Sequence, residues 1–485
     1  MIPILNPKEM YSLDNYLINN VGIESKLLME NSAVYSSFKI REILPHYSNI
    51  LILCGVGNNG GDGLALVRHL INDYNVSFAL IGDSSKQTIE NKYYYETLQK
   101  LKLEKIETDE IDFNNYDCII DSLLGIGGKP PLNKELTNIV LKANSSDCIR
   151  IAIDTPTGLD SETGIASSPT FNADFTFTMY AEKTGLLLND GKDYCGTIIT
   201  LDLGVPGSLI SSYSIVQKYD SIRLMKRLNN TSKFDYGKCV VIAGSVNMSG
   251  ASALTCNSAI SAGSGLVYLV TTNKPLNLYP EIISFEISTY NTSTLNNSKI
   301  QQLLDKSDSI VIGPGLDKSD DITNMINSIL ERYPDKRFII DADGISALDN
   351  KNVYNQNITI TPHIGEFANL IGKNRNVILD NLVALVKETA KKMNINILLK
   401  GTTTIITDGE EVLLVSDGIP EMATAGSGDV LSGILGAQAN QNLSSNYLQI
   451  LANAALTHIN AAKAALNNKN SIIASDIITG LKCIK

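Results

Sequence analysis

The sequence predicts an α/β fold in two domains, and three observations carry that expectation. Apolar runs of strand length, bounded by Gly, Asn or Asp, recur along the chain with amphipathic stretches between several of them. The rhythm lapses once, around residues 205–232, and then begins again. A chain of 485 residues is also too long for one ordinary core, since domains average about 150 residues.

Taken in order, residues 8–44 carry apolar positions at helical spacing, Leu13, Tyr16 and Leu17 and then Leu27, Leu28, Val34 and Phe38, which predicts two helices before the first strand. Strands are then expected at NILILCGVG, NVSFALIGD, YDCIIDSLLG, CIRIAIDTPTG, DFTFTMYA and GTIITLDLG. The second series runs GKCVVIAGS, GLVYLVTT, DSIVIGPG, RFIIDADG and NITITPHIGE, continues through a hairpin in INILLKGTTTIITDGEEVLLVSDG, and closes with helices from Asp429 and from Tyr447. Domains are therefore expected at residues 1–215 and 225–485.

Composition narrows the function. With 44% hydrophobic and 19% charged residues the chain is balanced for a globular protein and against disorder. A net charge of -11 leaves no Lys/Arg stripe to neutralise a phosphate backbone, so no nucleic-acid partner is expected. The seven cysteines show no CxxC spacing, and the histidines are His46, His69, His363 and His458, which gives a zinc site little support. The start, MIPILNPKEMYSLDNYL, lacks a basic segment followed by a long apolar one. No later run approaches the roughly 18 apolar residues of a membrane span, so the expected location is the cytoplasm.

Two glycine-rich segments carry chemistry. In the first, NILILCGV runs into Gly55-Val-Gly57-Asn58-Asn59-Gly60-Gly61-Asp62-Gly63 and then into a helical pattern. Glycines allow close backbone approach, and the amides and dipole of a helix start favour an anion. Gly55, Gly57 and Gly60 satisfy GxGxxG, although a plain strand-to-helix turn would look similar. The two amides and the carboxylate of Asn58, Asn59 and Asp62 add directed donors and acceptors that such a turn does not need.

With the segments Asp121-Ser-Leu-Leu-Gly125-Ile-Gly127, Asp154-Thr-Pro156-Thr157-Gly158 and Ala173-Asp174 leading to Lys183, this half resembles the YjeF-N fold of NAD(P)H-hydrate epimerases, a Rossmann-like α/β/α domain. The resemblance implies a potassium ion held by Asn59, Asp121 and Thr157, with Thr157 standing where the family usually has Ser. It implies a pocket for hydrated NADH or NADPH lined by Asn58, Asn59, Gly60, Gly61, Asp62, Gly125, Ile126, Gly127, Gly128, Lys129, Pro130, Pro131 and Asp154, with Gly127 and Gly128 close to the pyrophosphate. Asp154 and Lys183 are the expected acid and base of epimerisation; the plainer alternatives are a strand-end cap and a surface charge.

The second segment spans residues 418–436, Gly-Ile-Pro-Glu-Met-Ala-Thr-Ala-Gly-Ser-Gly-Asp-Val-Leu-Ser-Gly-Ile-Leu-Gly. The amides of Gly426, Ser427 and Gly428 at a helix start would make an anion hole for a migrating phosphoryl group, and Asp429 beside them could accept the proton of an attacking hydroxyl. Asp is also a common helix-cap residue, and that alternative stays open here. No GxxxxGK[ST] occurs, so a nucleotide would not be held by a P-loop.

The stretches Lys238 to Ser245, Ser249-Gly250-Ala251, Gly313-Pro314-Gly315, Asp341-Ala342-Asp343, Thr361-Pro362-His363-Ile-Gly365-Glu366 and Leu399-Lys400-Gly401 make this half similar to the YjeF-C family of ADP- or ATP-dependent NAD(P)H-hydrate dehydratases, which have a ribokinase-like α/β/α fold. The resemblance implies that Ala251, Gly315, His363 and Asp429 bind the hydrated dinucleotide, and that Lys400, Gly401, Thr402, Thr403, Thr404 and Gly428 bind ADP or ATP with Mg2+. Glu421, Ala425 and Ile364 depart from the family's Gly, Gly and Pro. Homo-oligomers are common in such families and are expected. A small-molecule kinase with a non-catalytic N-terminal binding module is the competing expectation.

Overall fold

A computed structural model describes residues 1–441, 444, 446–467 and 469–484, so Lys485, the end of the second expected domain, lies outside the described residues. Contacts divide the chain into two units, Ile2–Ile215 and, with Met1, Val216–Lys485.

In the first unit the apolar runs become β2 (Asn49–Cys54), β3 (Asn75–Leu80), β4 (Cys118–Ser122), β5 (Ile149–Ile153), β6 (Phe175–Met179) and β8 (Thr197–Leu201). They pair in parallel in the order β3-β2-β4-β5-β6-β8. The strands are buried on both faces because successive side chains point to opposite sides. Ile50, Ile52 and Cys54 pack under the helices Ser25–Ile43 and Asn58–Leu70, whereas Leu51 and Leu53 pack under Lys134–Asn144. The layers are thus α/β/α.

Both predicted N-terminal helices form, as Pro7–Tyr16 and Ser25–Ile43. The expectation that they precede every strand is corrected by β1 (Ile2–Leu5), which pairs in parallel with the two-residue β7 (Glu182–Lys183). That partner lies far along the chain and is too short to leave a pattern.

The second unit follows the same logic with a sheet ordered β12-β11-β10-β13-β14-β15-β16-β17-β18-β9. Its strands are β9 (Val216–Lys218), β10 (Lys238–Ile242), β11 (Leu266–Thr271), β12 (Ile283–Glu286), β13 (Ser309–Ile312), β14 (Arg337–Ile340), β15 (Ile358–Ile360), β16 (Asn396–Leu399), β17 (Thr404–Thr407) and β18 (Val412–Val415). Pairing is parallel from β12 to β16 and antiparallel through β16, β17 and β18, where the predicted hairpin falls. The closing helices are Ser427–Gln438 and Tyr447–Leu466.

Each parallel sheet contains a point at which the chain reverses its direction of growth, between β2 and β4 in the first unit and between β10 and β13 in the second. Loops diverge there at the carboxyl ends of the strands and leave a crevice, which is where open α/β sheets bind ligands.

Candidate functional site

The first crevice is built by backbone crowding. A Cβ on Gly55, just after β2, would lie 2.1 Å from the Leu123 carbonyl oxygen beyond β4, and one on Gly60 would lie 1.8 Å from the Gly55 oxygen. Only glycine allows the helix Asn58–Leu70 to start so close to the strand that feeds it. A Cβ on Gly125 would sit 2.7 Å from Asp154 Oδ2, so the turn after β4 rides directly over that carboxylate.

Asp154 follows β5 directly at φ +70°, a left-handed conformation that costs a non-glycine residue energy. The turn aims its carboxylate at two partners: Oδ2 accepts from the Ile126 amide at 2.9 Å, and Oδ1 lies 2.8 Å from Lys183 Nζ. Lys183 has no exposed surface and donates also to Thr178 Oγ1 at 2.6 Å and the Met179 carbonyl at 3.0 Å. A surface charge it is not.

Three residues unnoticed in the sequence join this pair. Asp14, on the first helix, hydrogen-bonds to Tyr180 and interacts with both Asp154 and Lys183, and Tyr11 faces Asp154 and Asp14. Asp14 has its pKa raised by burial and by Asp154, against the Tyr180 hydrogen bond and Lys183. Asp62 is pushed well up by burial, then by Asp154 and Asp14, with Ser32 and Lys183 opposing. Burial and mutual repulsion beside one ammonium thus raise the proton affinity of Asp14 and Asp62.

Asp121 is sealed in β4, accepting from the Thr157 amide at 2.7 Å, the Thr157 hydroxyl at 2.8 Å and the Leu123 amide at 3.1 Å. Burial outweighs those bonds and raises its pKa to about 6. Asn59 donates to the Ile153 carbonyl at 3.1 Å, while its buried Oδ1 has no hydrogen-bond partner among the described residues. These oxygens border the turn Asp121–Gly125, where the Ser122 hydroxyl also binds the Asn59 carbonyl. An all-oxygen set with an orphaned acceptor fits a hard monovalent cation. Of the other pocket residues, Gly127 lies beside the Tyr11 hydroxyl and Gly128 against Leu124, whereas Asn58, Lys129 and Pro131 are exposed.

In the second crevice the residues come from the ends of β10, β13, β14, β15 and β16. Gly315, at φ +65°, leaves room for Met248 and for Ala251 on the helix Ser249–Ser261; a Cβ there would be 2.8 Å from the Met248 oxygen and 3.1 Å from the Ala251 Cβ. The helix Ser427–Gln438 begins at Gly426 in the left-handed conformation, with Asp429 in its first turn. Burial first, and then the charges of Asp341 and Asp343, raise the Asp429 pKa to about 7 against the pull of Lys400.

Lys400 Nζ lies 2.8 Å from Asp341 Oδ1. Burial works against its charge, but Asp341, Glu366 and Asp429 outweigh it and raise its pKa. Beyond it, Gly401 and Thr402 are exposed in the turn, Thr403 is buried, and Thr404 opens β17. His363 is used locally: Nδ1 accepts from the Gly365 and Glu366 amides at 2.9 and 3.2 Å, capping the helix Ile364–Ile371, with its backbone bridged to Lys400. His458, not singled out from the sequence, is buried 3.4 Å from the Ser427 hydroxyl, with its pKa lowered to about 4 by burial and Lys400.

Fold and sites together define an enzyme with two separate centres, each a glycine-lined crevice holding carboxyl groups of raised proton affinity beside a lysine. Residues 239–482 match the family described as NAD(P)H-hydrate dehydratase, and residues 25–185 match the YjeF-related protein N-terminus. The bifunctional NAD(P)H-hydrate repair enzyme Nnr of Escherichia coli is 31% identical over 83% of this chain and 78% of its own length. Its counterpart in Dictyoglomus turgidum is 28% identical over 98% and 96%. The crystal structure of the Bacillus subtilis ADP/ATP-dependent NAD(P)H-hydrate dehydratase with ATP and Mg2+ is similar at 24% identity and a TM-score of 0.46, covering 53% of this chain and 92% of that one. The chain belongs to the family of bifunctional NAD(P)H-hydrate repair enzymes. Among the described residues no helix is long and apolar enough to cross a membrane.

Proposed function

We propose that the chain restores hydrated NADH and NADPH in two steps. A domain of residues 1–215 interconverts the R and S hydrates, and a domain of residues 225–485 dehydrates the S form at the expense of a nucleotide, with ADP as the donor. The observation that carries the reading is Asp429, held near neutral proton affinity in the first turn of a glycine-started helix and facing Lys400.

In the first domain Asp154 takes the proton of the added ring hydroxyl as the neighbouring C–N bond opens to a carbonyl, and returns it when the nitrogen re-adds to the other face, with Lys183 steadying the carboxylate at 2.8 Å. Asn59, Asp121 and Thr157 would hold potassium, which supplies a fixed positive charge beside the dinucleotide. In the second domain Asp429 accepts the hydroxyl proton as the oxygen attacks the terminal phosphorus of the donor, whose phosphoanhydride bond breaks to release AMP from ADP. Hydroxide is a poor leaving group, its conjugate acid having a pKa of about 15.7, whereas phosphate has a second pKa near 6. Phosphate then departs as the ring nitrogen lone pair moves in to give an iminium, and loss of a proton from the adjacent ring carbon regenerates the dihydronicotinamide. Magnesium would travel with the nucleotide phosphates.

The same proposal has Ala251, Gly315 and His363 meeting the dinucleotide, and Gly401 to Thr404 with Gly428 meeting the nucleotide. It includes homo-oligomers and a cytoplasmic location, in keeping with free cysteines such as Cys54 and Cys239 being buried. A kinase releasing its phosphorylated product beside an inert module is not favoured, because the family relationship spans both halves. Incubating the protein with resolved S-hydrated NADH, Mg2+ and ADP or ATP tests this: NADH absorbance returning supports dehydration, and a stable phosphorylated hydrate overturns it.

A further inference from the structure

Lys400 is fixed from several sides. Asp341, the residue after β14, binds Nζ through Oδ1 at 2.8 Å, and its Oδ2 accepts from the Ser432 hydroxyl at 2.6 Å. Ser432 is fully buried one helical turn beyond Gly428, whose carbonyl accepts from the same hydroxyl at 3.1 Å. The Lys400 amide donates to the Pro362 carbonyl at 2.8 Å. The ammonium ends 3.3 Å from where a Cβ would stand on Gly428.

A buried ion pair is weak evidence for stability, because desolvation offsets the Coulombic gain. This one is also lopsided: the Asp341 side chain is 2% exposed and that of Lys400 is 22% exposed. The carboxylate is shut in, whereas the lysine keeps some exposure and ends beside Gly428, which suits a group set to meet an outside anion.

We propose that Asp341 and Ser432 are positioning residues for phosphoryl transfer, holding the Lys400 ammonium at the mouth of the Ser427–Gln438 helix where it meets the phosphates of the nucleotide donor. The inference rests on the nucleotide-dependent reading above. The same carboxylate acts on Asp429, whose surroundings are Asp341, Asp343 and Lys400, with Glu366 facing Lys400 and a neutral His458 behind Ser427. Removing the Asp341 charge relieves repulsion and leaves Lys400 attractive, so Asp429 would ionise at lower pH.

The test uses the full chain and the variants Asp341→Asn and Ser432→Ala. ADP affinity is read by calorimetry, and kcat and KM are read with S-hydrated NADH. Both variants are expected to bind ADP roughly tenfold more weakly, with kcat reduced about tenfold or more and KM for the hydrate unchanged. The acid limb of the kcat profile moves to lower pH in Asp341→Asn and stays in place in Ser432→Ala, which keeps the charge. Wild-type ADP affinity and kcat in the variants, or a loss confined to the hydrate KM, overturns the inference. Ser432→Ala decides the matter alone should Asp341→Asn fail to fold. A wild-type chain that binds ADP without returning NADH overturns the dehydratase reading instead, while the ADP affinities still judge the positioning.

Discussion

Lys183, wholly enclosed, places its Nζ 2.8 Å from Asp154 Oδ1. Deleting one partner of such a pair leaves an uncompensated charge and costs roughly 3–5 kcal/mol. Lys183→Met is therefore expected to lower the thermal midpoint and to abolish epimerisation. Asp154→Asn keeps the shape but strips the buried Lys183 ammonium of its counter-ion, so it should cost a comparable amount of stability and slow epimerisation about 10²–10⁴-fold. Chromatographic exchange of resolved R and S hydrates reads both; full-rate exchange by a folded Lys183→Met chain would remove the lysine from the scheme.

The Asp429 carboxyl has its pKa raised to about 7 by burial and by Asp341. As a base it works only when ionised, so kcat for dehydration should fall about tenfold per pH unit below that value and level off above it. Asp429→Asn should lose about 10²-fold or more at every pH while epimerisation continues. A flat profile from pH 5 to 8 with rate-limiting chemistry would contradict the assignment.

Potassium should raise the melting temperature of the wild-type chain more than sodium or lithium at equal ionic strength, because a cation that binds the folded state stabilises it by mass action. Thr157→Val removes the hydroxyl that donates to Asp121 at 2.8 Å and should blunt that selective gain. Thr157→Ser should preserve it. Equal shifts from all three salts in the wild type would discard the site.

Gly60 tolerates no side chain, since a Cβ would fall 1.8 Å from the Gly55 oxygen. Gly60→Ala should destabilise the first unit by about 3 kcal/mol or more, and epimerisation should disappear with it. Dehydration of the pure S form should persist. Unchanged melting and exchange would mean the loop yields more readily than its packing implies.

The sheets were legible because their strands are buried on both faces and read as unbroken apolar runs ending in Gly, Asp or Asn, as at Asn49–Cys54 and Ser309–Ile312. Ile2–Leu5 escaped because its partner has only two residues, and the half-exposed edge strand Ile283–Glu286 because it lacks a fully buried run. Among the site residues, glycines and carboxylates within motifs stood out. Asp14 passed as an ordinary polar residue of an amphipathic helix, and Tyr180 as a strand end. Their role depends on distant partners, which spacing cannot reveal. Asp341 was visible as part of Asp341-Ala342-Asp343, but its grip on Lys400 depends on β14 and β16 ending at the same carboxyl side of the sheet, with β15 between them.

The bare α-carbon of Gly428, 3.3 Å short of the Lys400 ammonium by the measure of an added methyl, has a practical side. Alanine there would press on the charge without deleting it, acting as a dial where charge removal acts as a switch. Such a protein would let the two epimers of the damaged coenzyme be watched approaching balance in one tube, with their onward drain slowed to a trickle.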